Sequence, residues 1–227
     1  MNDITEGRLL SQLGYSFKTK TLFQLALTHR SSGNQNNERL EFLGDSLLNT
    51  IIAEALFQRF PHLKEGQLSR LRASLVKGET LAELAREFSL GDSLKLGEGE
   101  LKSGGFRRAS LLADALEAII AAIYLDSDFT TCRQCVLQWF ATRLVRLNPD
   151  ETPKDPKSQL QELLQGKGLP LPEYTVVSTD GAAHNQTFTV TCQVSLLPDN
   201  VVKKGSSRRS AEKAAAKEAL ARINDLP

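Results

Sequence analysis

The chain has 227 residues, 41% hydrophobic and 24% charged, a balance that excludes a wholly disordered protein. No apolar run approaches the ~20 residues that span a bilayer, and MNDITEGRLL lacks the basic-then-apolar pattern of a secretory leader. Net charge is +1 with three cysteines, so neither a disulfide framework nor a strongly charged partner can be read from totals alone, and a reducing, cytoplasmic setting is expected.

Helical spacing of apolar residues recurs in Leu9–Leu13, Leu22–Leu27, Leu40–Phe60, Leu68–Val76, Leu81–Phe88, Leu111–Leu125 and Val136–Leu147. Residues 1–147 are therefore predicted to form an all-α domain. Pro61 and Gly91 end two of these helices, and Asp128 is the expected N-cap of the last. Gly97–Gly105, with four glycines in nine residues, is predicted to be a loop. Asn148–Lys154 carries two prolines and no apolar residue, which marks 148–154 as a semi-stiff linker. In 155–227 the pattern changes. Lys157–Gln165 is helical, and Tyr174–Thr179 and Thr187–Ser195 are strands. In the second strand Phe188, Val190, Cys192 and Val194 alternate with polar residues. Val201–Lys204 is a short third strand and Ser207–Ile223 an alanine-rich helix. The order α-β-β-β-α predicts a small α+β domain with two helices on one face of a sheet.

The most informative segment is Asn37–Ser46, NERLEFLGDS. Glu38, Glu41 and Asp45 are spaced to share one face of a helix that also carries Leu40, Leu43, Leu47 and Leu48. Asp114 and Glu117 repeat the spacing on a second, more apolar helix, LLADALEAIIAAIYL. Carboxylates near an apolar core cost several kcal/mol unless they are paired or hold a metal. One acidic pair on a helix is usually a solvated face or a partner for residues such as Arg39. Five acids on two apolar helices, with no basic residue at the facing positions, favour a divalent-metal site. Oxygen-only ligands suit Mg²⁺ or Mn²⁺ rather than zinc.

These residues resemble a known family. Asn37–Ser46 is similar to the signature of ribonuclease III, and Asp114-Ala-Leu-Glu117 to that family's second acidic motif. The segment Pro61–Val76, with Glu65-Gly66 ahead of Leu68-Ser-Arg-Leu-Arg72, also fits. The α-β-β-β-α tail resembles a double-stranded-RNA-binding domain, so the likeness covers essentially the whole chain in the bacterial order. It implies metal ligands at Glu41, Asp45, Asp114 and Glu117, with Asp45 and Glu117 the catalytic pair and Glu38 and Glu65 in support. It implies Mg²⁺, with Mn²⁺ as a substitute, and hydrolysis of duplex RNA by in-line attack of metal-activated water, giving 5′-phosphate and 3′-hydroxyl ends. It further implies processing of ribosomal, messenger and transfer RNA precursors, and a homodimer in which each site cuts one strand. Phe42 matches the residue that projects into the partner subunit, although a core aromatic would read the same way.

Three patches in the tail suit duplex RNA. Ser158, Gln161 and Glu162 lie on the first helix, and His184 sits in the loop Asp180–Gln186. Lys204, Ser207, Arg208, Arg209 and Lys213 open the last helix, whose N-terminus already favours phosphate. The resemblance implies that helix and loop read successive minor grooves while the basic patch clamps the phosphates between them; Lys203, where many relatives have glycine, adds charge. In the first domain Lys102, Arg107 and Arg108 are expected phosphate contacts, although a solvated loop would look similar. A C-x-x-C at Cys132 and Cys135 falls inside a helical pattern and is not a redox motif. Cys192 reads as a small buried residue, His29 as a cap or packing residue and His62 as an exposed turn. No phosphate-binding loop for a nucleotide is present. A non-catalytic duplex-RNA-binding protein, or an assembly factor for structured ribosomal RNA, would share the tail but would not need Glu41, Asp114 and Glu117.

Overall fold

The computed structural model describes residues 3–149, 155–181 and 186–225. The chain separates into two compact units, Met1–Thr152 and Pro153–Pro227. Of the expected linker, 150–154 lies outside the described residues, as does His184.

The first unit runs α1 (Asp3–Leu13), α2 (Lys20–Ala26), α3 (Glu38–Arg59), α4 (Glu65–Val76), α5 (Gly78–Glu87), α6 (Glu98–Lys102), α7 (Ala109–Asp126) and α8 (Phe129–Val145). Short 3-10 turns occupy Arg30–Ser32, Leu90–Ser93 and Gly105–Arg107. Helix α7 is apolar on nearly every side, and Leu111, Leu112, Leu116, Ile119, Ile120 and Ile123 are all buried. A helix of that composition must sit at the centre of a core. It packs against α3, whose Leu40, Leu48, Ile51, Ile52 and Leu56 face inward. Gly44 sets how close the two helices come: a Cβ there would lie 1.8 Å from the Glu117 carbonyl oxygen. At the other end of α7, Asp126 accepts from the Tyr15 hydroxyl and from the backbone of Lys18 and Thr19, each at 2.8 Å. The Trp139 indole of α8 donates to the Leu13 carbonyl at 2.9 Å. Asp128 caps α8 as expected, accepting from the Thr131 backbone at 2.8 Å.

One expectation needs correction. Gly97–Gly105 is not simply a loop, because it holds α6 and runs into the third 3-10 turn. Glu100 on α6 pairs with Arg108 at 3.0 Å, and the Cα of Gly105 packs so closely on Glu100 that a Cβ would meet its carbonyl oxygen at 2.9 Å. Glycine here allows close approach as well as turning.

The second unit is α9 (Pro156–Gly166), β1 (Glu173–Asp180), β2 (Thr187–Gln193), β3 (Val201–Gly205) and α10 (Arg208–Asn224). The strands form one antiparallel sheet in the order β1-β2-β3, with Val190 opposite Val176 on one side and Lys203 on the other. Leu160 and Leu164 of α9, Cys192, Val194 and Val201, and Ala215, Ala216 and Ala219 of α10 make a separate core. The alanines have no bulk to hold α10 away from the sheet, so its apolar face can be narrow and still be buried. Pro156 occupies the first turn of α9, where its missing N–H costs nothing.

Candidate functional site

The start of α3 is fixed by Asn37. Its backbone N–H donates to the Thr28 carbonyl at 2.8 Å, and its buried amide donates to the Ala26 carbonyl at 3.3 Å. Glu38 and Glu41 occupy the first turn that follows, while Asp114 and Glu117 sit on consecutive turns of α7. Because Gly44 lets the helices touch, Glu41, Asp114 and Glu117 each place a carboxylate oxygen within 4.8 Å of the other two. All three are half-buried.

Burial and crowding are legible in their acidity. Glu117 is pushed up to about 8, first by loss of water and then by the negative charges of Asp45, Asp114 and Glu41. Burial also raises Asp114, against the lowering effect of His29 and Arg30. Glu41 is raised by burial and by Asp114 and Glu38, and is lowered by Arg30. Three carboxylates that resist ionising together, in an all-oxygen set, fit a small divalent cation.

The other expected acids are placed differently. Asp45 is exposed on α3 beside Glu117, and its Oδ1 accepts from Asn49 Nδ2 at 2.9 Å. Glu38 points to Arg30, Nη1 to Oε1 3.4 Å. Glu65 is not brought into the three-carboxylate cluster. It opens α4, accepts from the Ser69 hydroxyl at 2.7 Å, and borders a cavity of about 570 Å³ with Phe57, Leu63, Leu68 and Arg72. The sequence reading missed Arg30, since the facing positions do hold a cation. Helical spacing cannot show it, because Arg30 comes from a turn before α3. His29 caps that turn, its Nδ1 accepting from the Ser31 backbone at 3.2 Å. Burial pushes the Cys132 thiol up to about 12, which agrees with an inert C-x-x-C, and His62 is exposed in a turn.

Among the expected RNA contacts, Lys102 pairs loosely with Glu98 at 3.4 Å, both side chains well exposed. Arg108 pairs with Glu100, and Arg107 lies over the Phe106 ring at 5.0 Å. Ser158, Gln161 and Glu162 are exposed on α9 while Leu160 and Leu164 face the core. Ser207 caps α10, accepting from the Ser210 backbone at 3.1 Å. The basic patch is less free than its sequence suggests. Arg208 is held by Glu212 at 2.8 Å, Lys213 by Asp155 at 2.9 Å and Lys203 by Glu218 at 2.9 Å. Lys157 shares Glu212 at 2.6 Å, and these two cations keep the Glu212 carboxyl below the usual range. Lys204 and Arg209 form no ion pair among the described residues and are exposed. The Lys213–Asp155 and Lys203–Glu218 pairs are part-exposed at both ends and cheap to exchange for phosphate, and Arg208 can leave the buried Glu212 because Lys157 still pairs with it.

Comparison with known proteins gives the same two parts. Residues 19–144 match the family model described as ribonuclease-III-like, and 156–223 match the double-stranded RNA binding motif. A protein named ribonuclease 3 from Vibrio cholerae serotype O1 is 59% identical over 219 residues, covering 96% of this chain and 97% of that one. The solved nuclease domain of ribonuclease III from Campylobacter jejuni is 40% identical, with a TM-score of 0.60, and covers 63% of this chain and 97% of its own. A second structure of that domain is 43% identical, with a TM-score of 0.59, over 60% of this chain and 95% of its own.

Proposed function

The chain belongs to the ribonuclease III family, and from that premise we propose that it cuts both strands of an RNA duplex as a Mg²⁺-dependent homodimer. It is a double-stranded-RNA-specific endoribonuclease that depends on a divalent metal. The observation that carries the proposal is the meeting of Glu41, Asp114 and Glu117 from two helices within 4.8 Å.

In this reading those three carboxylates hold the ion. A divalent ion held there, Mg²⁺ or its substitute Mn²⁺, would supply positive charge for phosphate oxygens and would lower the pKa of a water for in-line attack on phosphorus. Glu117, half-buried and crowded by Asp45, Asp114 and Glu41, is the acid whose charge gains most from a cation. Asp45 stands at the solvent edge, oriented by Asn49, where it can accept the proton released by that water. Glu38 sits at the same rim. The products carry 5′-phosphate and 3′-hydroxyl ends.

The second unit grips the duplex. Ser158, Gln161 and Glu162 on α9, and His184, which lies between β1 and β2 in sequence, suit minor-groove 2′-hydroxyls. Lys204, Arg208, Arg209 and Lys213 surround the N-terminus of α10, whose free N–H groups favour phosphate. Lys102, Arg107 and Arg108 give the nuclease unit a cationic surface of its own. Residues 148–154 serve as the linker.

Dimerisation is supported by α3 itself. Phe42, Ser46, Asn49, Ala53 and Phe57 recur at steps of three and four, so they share one face. Phe42 is 78% and Phe57 71% exposed, two large rings on one face that a partner copy would bury. Phe57 borders the 570 Å³ cavity, and Phe42 lies roughly 22 Å away along the helix at ~1.5 Å per residue. A projecting ring and a cavity on one face are self-complementary under a two-fold axis. Glu65 borders that cavity, so its support for catalysis belongs to the dimer face. The Campylobacter jejuni domain likewise has a region described as involved in dimer formation.

No helix among the described residues is long and apolar enough to cross a membrane. We place the protein in the cytoplasm, acting on ribosomal RNA precursors and on some messenger and transfer RNAs. Chelated protein incubated with a long RNA duplex tests the chemistry. Cleavage should appear on adding Mg²⁺, with 5′-phosphate ends, and binding without cleavage in any divalent metal would instead support a non-catalytic duplex-binding protein.

A further inference from the structure

The turn Arg30–Ser32 buries none of its side chains, yet it is unusually well tied. The His29 N–H donates to the Lys95 carbonyl at 3.0 Å, and the Lys95 N–H to the Leu27 carbonyl at 2.8 Å. The Gly97 N–H donates to the Ser31 hydroxyl at 2.9 Å. Gly97 packs so tightly that a Cβ there would lie 2.2 Å from the Ser31 carbonyl oxygen. On the other side the Asn37 N–H reaches the Thr28 carbonyl, joining the turn to the first residues of α3. Core packing does not explain bonding of this density on an exposed turn. Its effect is to fix the place from which the Arg30 side chain projects.

That place is the rim of the acid cluster. The Arg30 guanidinium contacts Glu38 on α3 through one long bond of 3.4 Å, with side-chain exposures of 70% and 53%. Glu38 lies three residues, about one turn, before Glu41 on α3, so this contact sets Arg30 beside the cluster. A single exposed pair of this kind contributes under about 1 kcal/mol. A phosphate offers the same group a shorter, two-pronged contact. The substrate is a polyanion, and the surface it must approach carries five carboxylates. A cation beside those acids, rigid in backbone and weakly held in side chain, meets that need.

We infer that Arg30 is a substrate-binding residue of the cleavage site, leaving Glu38 on RNA binding to hold a backbone phosphate next to the scissile one. The inference rests on the nuclease reading above. The tie from Ser31 to Gly97 also makes the turn continuous with α6, which carries Lys102 and leads to Arg107 and Arg108. Arg30 is thus the inner end of a phosphate track that those cations continue outward.

The test uses the full chain with a long RNA duplex in Mg²⁺, at substrate well below KM, across a salt series. Arg30→Gln should lower kcat/KM about tenfold or more, the size of one charge-assisted contact. It should also make log kcat/KM shallower against log salt by about 0.7–0.9, the loss of one phosphate contact. Arg30→Lys keeps the charge and should restore the salt slope while recovering only part of the rate. An exposed side chain should leave the melting temperature unchanged in both variants. A wild-type salt slope in Arg30→Gln, whatever its rate, would overturn the inference, because a purely structural role changes rate without changing the number of phosphates neutralised. Failure of the wild type to cut in Mg²⁺ would instead sink the nuclease reading itself.

Discussion

At the scale of single residues, Glu117 has the most direct consequence. In the folded chain it holds its proton up to about pH 8, against an ordinary value of 4.5. Between those values the folded state binds more proton than the unfolded one, so stability of the metal-free protein should fall as pH rises from about 5 to about 8. A metal needs the ionised carboxylate, and its affinity should rise across the same window with release of a proton. Melting curves in chelator and in Mg²⁺ at pH 6 and pH 8.5 check both trends. The metal-induced gain in Tm should be larger at the higher pH, and an equal gain at both would contradict the assignment. The acids themselves were readable from sequence because their hosts are apolar helices, where a carboxylate is out of place. Arg30 was not readable, since periodicity reports neighbours along one helix and says nothing of a cation delivered by a separate turn. The basic patch of α10 shows the same limit: Lys157 reaches Glu212 across 55 positions, so its pairing is invisible to local pattern.

Among elements, the α3–α7 contact decides whether three carboxylates become one site. Gly44→Ala would force a methyl against the Glu117 carbonyl, 1.8 Å from the Cβ position. Overpacking typically costs about 1–3 kcal/mol, and helices forced apart would spread the ligands. The variant should melt lower and need far more Mg²⁺ to cut, and a metal titration of cleavage at a temperature where it remains folded separates the two effects. Wild-type metal dependence would show that the contact does not set the site. Ser89 offers an opposite case. It opens the turn before Leu90 at φ 53°, a left-handed conformation that costs a non-glycine residue roughly 1 kcal/mol. Ser89→Gly should therefore raise Tm slightly, as a thermal melt would show. The helices of the first unit were legible from spacing because each buries one stripe or all of its surface. Helix α6 was not, because its glycines mimic a loop and its order comes from Glu100, Arg108 and the close approach of Gly105.

For the whole molecule, labour is divided between a cutting unit and a gripping unit, each with its own core. A piece ending at residue 147 should keep the acids and the α3 face, and should cut duplex RNA weakly and only at low salt. Losing roughly four phosphate contacts should flatten its salt dependence by about 3 log units per log unit. Equal activity with the full chain at near-physiological salt would contradict this division. The intact protein should sediment at twice its chain mass, and Phe42→Asp should sediment at the chain mass and lose paired-strand cutting. A Phe42→Asp dimer would show that the α3 face is not the contact. In the proposed mechanism Glu41, Asp114 and Glu117 hold the metal that serves cleavage, and the second unit holds most of the RNA. Glu117→Gln tests this most directly, since it removes a ligand charge while keeping its size. Cleavage and gel shift should be measured together on one long duplex in Mg²⁺. Cleavage should be abolished while the shift stays close to wild type; cleavage at near the wild-type rate would show that the metal site lies elsewhere.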